Sequence, residues 1–155
     1  MQNNTTVYTP IPIDLEISEV FEERLIPPVI PANNPLTQEG ITLGRKLFFD
    51  KILSADNTQA CADCHKPELA FTDGRQYSIG IDGIEGTRNA MPIFNLAWNY
   101  DEQFFWDGRE FSLERQTFDP IISPIEMHNN LENVVEELQQ DNEYPILFEQ
   151  AFGTS

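Results

Sequence analysis

The chain has 155 residues, of which 40% are hydrophobic, and it carries 26 acidic against 9 basic side chains. This length allows one domain with a real core, and a formal net charge of −17 disfavours phosphate backbones and anionic lipid headgroups as partners. No apolar run approaches the roughly 18 to 20 residues needed to span a bilayer. We therefore expect neither nucleic acid binding nor membrane insertion.

The first 35 residues predict an extended arm. They contain six of the 11 prolines of the chain, and each proline removes a backbone donor and fixes φ. The opening sequence MQNNTTVYTP has neither the basic start nor the apolar stretch of a secretory signal, so either the chain is cytoplasmic or its leader has been removed. We expect residues 1–35 to form a Pro-rich arm and residues 36–155 to form the folded domain.

Three later segments predict helices. Thr37 can cap a helix over about 37–50, where apolar residues recur near helical spacing. Asn130 precedes the clearest helical pattern, in which apolar residues fall at i, i+3, i+4 and i+7. Pro145 can begin a last helix that ends before Gly153. Residues 72–110 show no sustained period and predict long loops, and no run indicates a strand. The expected fold is mostly α.

Both cysteines of the chain and one of its two histidines lie in CADCH, residues 61–65. C-x-x-C-H is the attachment pattern of c-type haem. On a short helix, the Cys61 and Cys64 thiols can add to the two vinyl groups of one porphyrin edge. His65 would then turn its imidazole under the iron as the proximal ligand. We expect a covalently bound haem c.

Three other uses of these cysteines compete. A thioredoxin-like pair needs a preceding strand, which the sequence does not predict. A zinc site would have to recruit the distant His128 as its fourth ligand. A disulfide across two intervening residues is strained and closes a small loop. Haem is the favoured interpretation. Because bacteria attach haem covalently outside the cytoplasmic membrane, it predicts a periplasmic protein whose leader has been removed.

The second axial position of the iron decides between an electron carrier and a catalyst. Met91, Met127 and His128 could close it. Glu126 instead indicates a catalyst, because a carboxylate in an apolar pocket can take a proton from one peroxide oxygen and give it to the other. The residues alone leave a monohaem electron-transfer cytochrome and a peroxidase both open.

Six segments together resemble one family. They are LGRKLFFDKILSADNTQACADCHKPELAFTDG, SIG, GTRNAMPIFN, FFWDGR, SLERQTFDPI and SPIEM. This order is similar to that in the N-terminal haem domain of bacterial dihaem cytochrome c peroxidases and of the related methylamine dehydrogenase maturation enzymes. The resemblance runs from about Leu36 to the end of the chain. It implies a cytochrome c-like fold and reduction of hydrogen peroxide to water, with electrons from a small cytochrome c or cupredoxin. A haem oxidase acting on a partner protein is the alternative that it leaves open.

The resemblance also implies roles for single residues. Glu126 matches the distal acid–base residue, and Gln116 and Pro120 match residues that line the same pocket. Trp106 matches the aromatic residue that lies between the two haems and assists electron transfer. Arg109 suits a haem propionate by its charge and forked geometry, although a surface salt bridge competes.

Calcium and two departures from the family pattern complete these expectations. Asn89 matches the side chain that helps hold calcium at the interdomain boundary, with a turn-forming Asn as the alternative.

Many members place after SIG a histidine that caps the resting iron; here that position is Ile81, so we expect an iron open to peroxide without prior activation. These 155 residues contain a single C-x-x-C-H, and we expect them to lack the second haem domain that family members carry, with its own C-x-x-C-H. We therefore expect a fragment, or a unit that takes electrons from an equivalent separate chain.

Overall fold

Helices form where the sequence supplies caps and apolar stripes in the computed structural model, which describes residues 8–154. In chain order they are α1 (Glu19–Glu22), α2 (Gln38–Phe49), α3 (Cys61–Cys64), α4 (Leu113–Gln116), α5 (Phe118–Ile122), α6 (Leu131–Gln140) and α7 (Tyr144–Phe152). Short 3-10 turns cover Lys51–Leu53, Pro67–Leu69 and Leu96–Trp98. Over the described residues, backbone pairing outside helices consists of isolated bridges, without strands. The predicted mostly α fold is confirmed.

The caps that the sequence predicts are present. The Thr37 hydroxyl accepts a hydrogen bond of 3.0 Å from the Gly40 amide at the start of α2. The Asn130 side chain accepts one of 2.8 Å from the Asn133 amide at the start of α6. At the end of α7, Gly153 takes φ +72°, a left-handed conformation that glycine adopts without steric cost.

The N-terminal arm lies against the domain in extended conformation for much of its length. The Ile13 amide donates to the Leu36 carbonyl at 3.0 Å, and the Tyr8 hydroxyl donates to the Ala151 carbonyl in α7 at 2.7 Å. The single turn of α1 interrupts the arm and buries none of its residues. A domain boundary between 35 and 36 stays a prediction, and the first seven residues of the expected arm lie outside the described residues.

Two small hydrophobic clusters form the core. The first contains Leu43, Tyr144 and Ala151 and joins α2 to α7. The second is made of the buried residues Leu53, Ile121, Met127 and Val134. Leu47, Ile52 and Leu138 pack against both clusters and connect them. Cys61 packs against the second cluster, so the core holds the C-x-x-C-H segment from behind.

Long irregular segments between α3 and α4 enclose the space in front of that motif. Isolated antiparallel bridges join Lys66 to Thr72, Ile79 to Glu85 and Phe104 to Glu110, and each closes a short loop. The expectation of long loops over 72–110 is met, with the Leu96–Trp98 turn inside them. Within residues 8–154, the structure contains no helix that is both long and apolar enough to cross a membrane.

Candidate functional site

The C-x-x-C-H motif forms one helical turn with its own cap. The Asp63 carboxylate accepts a hydrogen bond of 2.8 Å from the Ala60 amide, which fixes the start of α3. The His65 amide donates to the Cys61 carbonyl at 2.9 Å and closes the turn. Sequence spacing and local hydrogen bonding thus place both thiols and the imidazole at one short element.

The orientation of His65 is set by a backbone carbonyl. Its Nδ1 lies 3.0 Å from the carbonyl oxygen of Phe71. Because a carbonyl oxygen only accepts, Nδ1 carries a proton, which leaves Nε2 as the ring nitrogen available to ligate a metal. Phe71 is brought there by a tight turn in which Ala70 and Phe71 take φ of +55° and +59°. Histidines that ligate a metal through one ring nitrogen usually donate a hydrogen bond from the other ring nitrogen, as His65 does to the Phe71 carbonyl.

One cavity of about 620 Å³ lies in front of this motif. All nine residues to which the sequence assigns a site role line it: Cys61, Cys64, His65, Asn89, Trp106, Arg109, Gln116, Pro120 and Glu126. Its volume lies in the range of roughly 300 to 1,000 Å³ typical of small-molecule and cofactor sites. The fold therefore brings together residues that lie up to 65 positions apart in the chain, from 61 to 126.

Burial keeps both thiols protonated. It raises the pKa of Cys64 to about 11, and the carboxylates of Asp73, Glu126 and Asp63 act in the same direction. Burial also raises the pKa of the Cys61 thiol. A thioether is a neutral sulfur, which suits these buried positions. The donor set and its surroundings fit a covalently attached haem.

Glu126 lies in a turn that follows α5. The Glu126 amide donates to the Ser123 carbonyl and the Met127 amide donates to the Pro120 carbonyl, each at 3.1 Å. Met127 is buried in the core beneath the turn, while Glu126 is exposed and lines the cavity. The turn thus holds a carboxylate at the cavity edge, and the hydrogen bond from Met127 to Pro120 ties it to helix α5.

Trp106 and Arg109 occupy another part of the cavity lining. Trp106 is 57% exposed and its indole N–H donates to the Asn89 carbonyl at 3.3 Å. The Arg109 guanidinium pairs with Asp107 at 3.1 Å and with Asp119 at 3.2 Å, and it stacks 3.5 Å from the centre of the Phe105 ring. Arg109 therefore makes the salt bridges that competed with a propionate partner, and its cofactor role stays a prediction.

The candidates for a second axial ligand divide into two groups. Met91 and Met127 line the cavity, but Met127 is only 5% exposed and packs in the second core cluster. His128 does not line it; the His128 Nδ1 lies 2.6 Å from the Asp82 carboxylate instead. Ile81 is likewise outside the lining, and its amide donates to the Glu126 carbonyl at 2.9 Å.

Calcium at Asn89 stays a prediction. Asn89 is exposed beside the cavity. Across the described part of the chain, no group of three or more His, Cys, Asp or Glu side chains is arranged to hold a metal ion.

Three polar or small residues of the cavity were missed from the sequence. The Gln59 side-chain amide donates to the Ile79 carbonyl at 3.1 Å and lies 3.4 Å from the Cys64 sulfur. The Gln59 Oε1 and Ser78 Oγ atoms are buried without a hydrogen-bond partner among residues 8–154. Gly80 also lines the cavity. The local signals available were the position of Gln59, two residues before Cys61, and the SIG segment, to which Ser78 and Gly80 belong.

Comparison with known proteins assigns the chain to a family. The sequence profile described as di-haem cytochrome c peroxidase matches residues 38–155. The chain belongs to this family. Membership implies haem c as cofactor and confirms the family that the sequence motifs indicated.

Individual relatives include both kinds of member. The chain is 43% identical to the methylamine utilization protein MauG of Methylorubrum extorquens over 124 residues, 80% of this chain and 35% of the relative. It is 37% identical to the cytochrome c peroxidase Ccp of Escherichia coli over 120 residues, 77% of this chain and 25% of the relative.

A solved structure shares the fold. It is the crystal structure of a MauG-like protein associated with microbial copper homeostasis, with a TM-score of 0.79 and 35% identity over 91% of this chain and 40% of that one. The chain thus spans between a quarter and two fifths of the length of these relatives. This likeness, to a protein of the same family, confirms the predicted cytochrome c-like fold.

Proposed function

We propose that this chain is the peroxide-reacting haem domain of an oxidoreductase, and that it reduces hydrogen peroxide to water. The observation that carries the proposal is that Glu126, Gln116 and the C-x-x-C-H motif line one cavity. When bound, haem c supplies the iron that exchanges electrons with peroxide.

The residues that hold the cofactor follow from the donor chemistry. Cys61 and Cys64 would form the two thioether links, and His65 would ligate the iron through Nε2. The hydrogen bond from His65 Nδ1 to the Phe71 carbonyl fixes the orientation of the ring and its tautomer. The core packing of Cys61 keeps the motif from moving away from the cavity.

Glu126 and Gln116 are proposed to act on peroxide itself. The Glu126 carboxylate takes the proton from one peroxide oxygen and returns it to the other, which assists cleavage of the O–O bond. Overall, peroxide takes up two protons from solvent and two electrons from the reduced donor protein and gives two molecules of water. The Gln116 side chain orients peroxide through hydrogen bonds, and Pro120 shapes the wall beside it. Such proton transfer by one positioned side chain typically contributes about 100- to 10,000-fold to a rate.

Electrons are proposed to enter near Trp106 from outside this chain. Its half-exposed ring lies on the cavity lining, where an electron can pass inward from a second haem domain or an equivalent chain. The ultimate donor is a small cytochrome c or cupredoxin, and the net charge of −17 favours a donor with a basic face. Covalent haem attachment makes the periplasm the proposed compartment.

An oxidase that acts on a partner protein is the second candidate. Two observations favour it: the 43% identity with a MauG and the 57% exposure of Trp106, through which a partner protein could give up electrons. In that case reduced cytochrome would not support peroxide turnover, and peroxide would be consumed only when the partner protein is present.

Replacement of the acid–base residue tests the proposed function. Glu126→Gln keeps the size of the side chain but removes the proton acceptor, so peroxide turnover with a reduced cytochrome should fall by about 100-fold or more. Glu132→Gln, at an exposed position in α6, is the matched control and should keep the rate. If the Glu126 variant turned over peroxide as fast as the control, the proposed role of Glu126 would be wrong.

A further inference from the structure

Residues 79–85 form a loop that is closed on itself. An isolated bridge pairs Ile79 with Glu85, the Gly80 amide donates to the Ile84 carbonyl at 3.2 Å, and the Gly83 amide donates to the Gly80 carbonyl at 3.0 Å. Gly83 takes φ +72°, which the reversal of the chain requires. The loop is therefore a small ordered unit, whose tip faces another part of the molecule.

That other part is the turn that carries Glu126. The Ile81 amide donates to the Glu126 carbonyl at 2.9 Å, across 45 positions of sequence. Gly80 packs directly on the same backbone. A β-carbon at Gly80 would lie 2.3 Å from the Ile125 oxygen, 2.5 Å from the Glu126 oxygen and 2.7 Å from the Glu126 Cα. Only glycine permits this approach, since any side chain would push the two backbones apart.

A hydrogen bond between the His128 and Asp82 side chains, which is an ion pair when the imidazole is protonated, joins the loop to the turn a second time. The His128 Nδ1 lies 2.6 Å from the Asp82 carboxylate, and both side chains are about half exposed. His128 takes φ +50°, a conformation uncommon for a residue with a side chain. The backbone contact at Glu126 and the ion pair at His128 therefore attach the turn at two points.

Glu126 itself has no comparable fixation. Among residues 8–154 no hydrogen bond reaches its carboxylate. The place of that carboxylate at the cavity edge thus depends on where its backbone is held. A displacement of about 1 Å at a reacting group can cost roughly 100-fold in rate.

We propose that Gly80, Asp82 and His128 are positioning residues, which hold the Glu126 turn at the cavity through the 79–85 loop. The expected effect of these residues on peroxide turnover rests on the proposed function. The attachment of the turn to the loop is a property of the folded chain, and amide hydrogen exchange measures it separately.

The first test uses glycine substitutions. In haem-loaded protein, Gly80→Ala should speed amide exchange in peptides covering 78–86 and 123–129 together, and it should lower peroxide turnover about 100-fold. Gly44→Ala is the control, because a β-carbon there meets no atom within 4 Å. If Gly80→Ala changed exchange in 78–86 alone and kept the turnover rate, the loop would not hold the turn.

The second test uses surface substitutions, which do not threaten folding. Asp82→Asn should speed exchange in 123–129 by about two- to fivefold, the range expected of an exposed ion pair. Glu85→Gln removes the same charge from the same loop, but the Glu85 side chain makes no hydrogen bond or ion pair among residues 8–154, so exchange should not change. Equal effects of the two substitutions would overturn the role of the ion pair.

Exchange of the two charges provides the rescue. Asp82→His combined with His128→Asp restores the pair with opposite polarity, and aspartate tolerates the left-handed conformation at 128. The double variant should regain protection that each single variant loses. If each single variant exchanged faster in 123–129 and the double variant did not regain protection, the contact between the two side chains would not be what holds the turn. If Glu126→Gln kept full turnover, the proposed catalytic role would fail, whereas the exchange results would still decide whether the loop holds the turn.

Discussion

At the scale of single residues, the environment of the two cysteines is suited to neutral sulfur. Burial raises the pKa of Cys64 to about 11, and nearby carboxylates reinforce the effect. His65 is fixed by the Phe71 carbonyl, which is set in place by two consecutive residues with positive φ. The C-x-x-C-H pattern predicted the identities of these three residues, but nothing in the pattern indicated Phe71 as the partner of the imidazole.

The raised pKa leads to a prediction for protein that has not yet received haem. The folded Cys64 thiol holds its proton up to about pH 11, against an ordinary pKa of 9.0. The protonated Cys64 thiol therefore makes its full contribution to the free energy of unfolding below pH 9.0, and this contribution is lost as the pH rises towards 11. Alkylation of Cys64 should be slow at pH 8 in folded protein and fast in urea. Equal rates in the two conditions would contradict the burial of this thiol.

At the scale of elements, the helices were predictable and their mutual packing was not. The stripes and caps of α2, α6 and α7 are local patterns, and the observed bounds differ from the expected ones by about a residue. The close contact between Gly80 and the turn that carries Glu126 joins chain segments that lie about 45 residues apart. A single sequence contains no pattern that predicts such an approach, and for the same reason the buried side chain of Gln59 was missed.

Packing between α2 and α7 is expected to dominate the stability of the domain. Tyr144 is 1% exposed, and its hydroxyl donates to the Asp50 carboxylate at 2.8 Å. Burial, helped by that carboxylate, raises the pKa of Tyr144. The core cluster around Leu43 thus has a polar contact at its edge.

Tyr144→Phe removes that hydrogen bond and keeps the ring. It should lower the free energy of unfolding by about 1 kcal/mol, or the melting temperature by about 2 to 4 °C. Tyr77→Phe, on an exposed ring, should change it by less than about 0.5 kcal/mol. Thermal unfolding of the haem-loaded proteins measures both. A Tyr144 variant as stable as the Tyr77 variant would show that this contact contributes nothing.

At the scale of the whole molecule, family and cofactor were accessible from the sequence because they depend on motifs rather than on packing. C-x-x-C-H, F-W-D-G-R and the later Glu-Met pair indicated the di-haem cytochrome c peroxidase family, and the family match over residues 38–155 confirms it. Family membership alone does not separate peroxide reduction from oxidation of a partner protein, because relatives named MauG and relatives named cytochrome c peroxidase both match the chain.

The central claim is that one haem is tethered at Cys61 and Cys64, and its most direct measurement is the mass of a single peptide. Trypsin should release residues 52–75 intact, because Lys66 precedes a proline and is not cleaved. From protein matured in a host that attaches c-type haem, this peptide should carry exactly one haem and no alkylatable thiol. Recovery of the same peptide without haem, with two free thiols or a disulfide, would contradict the claim.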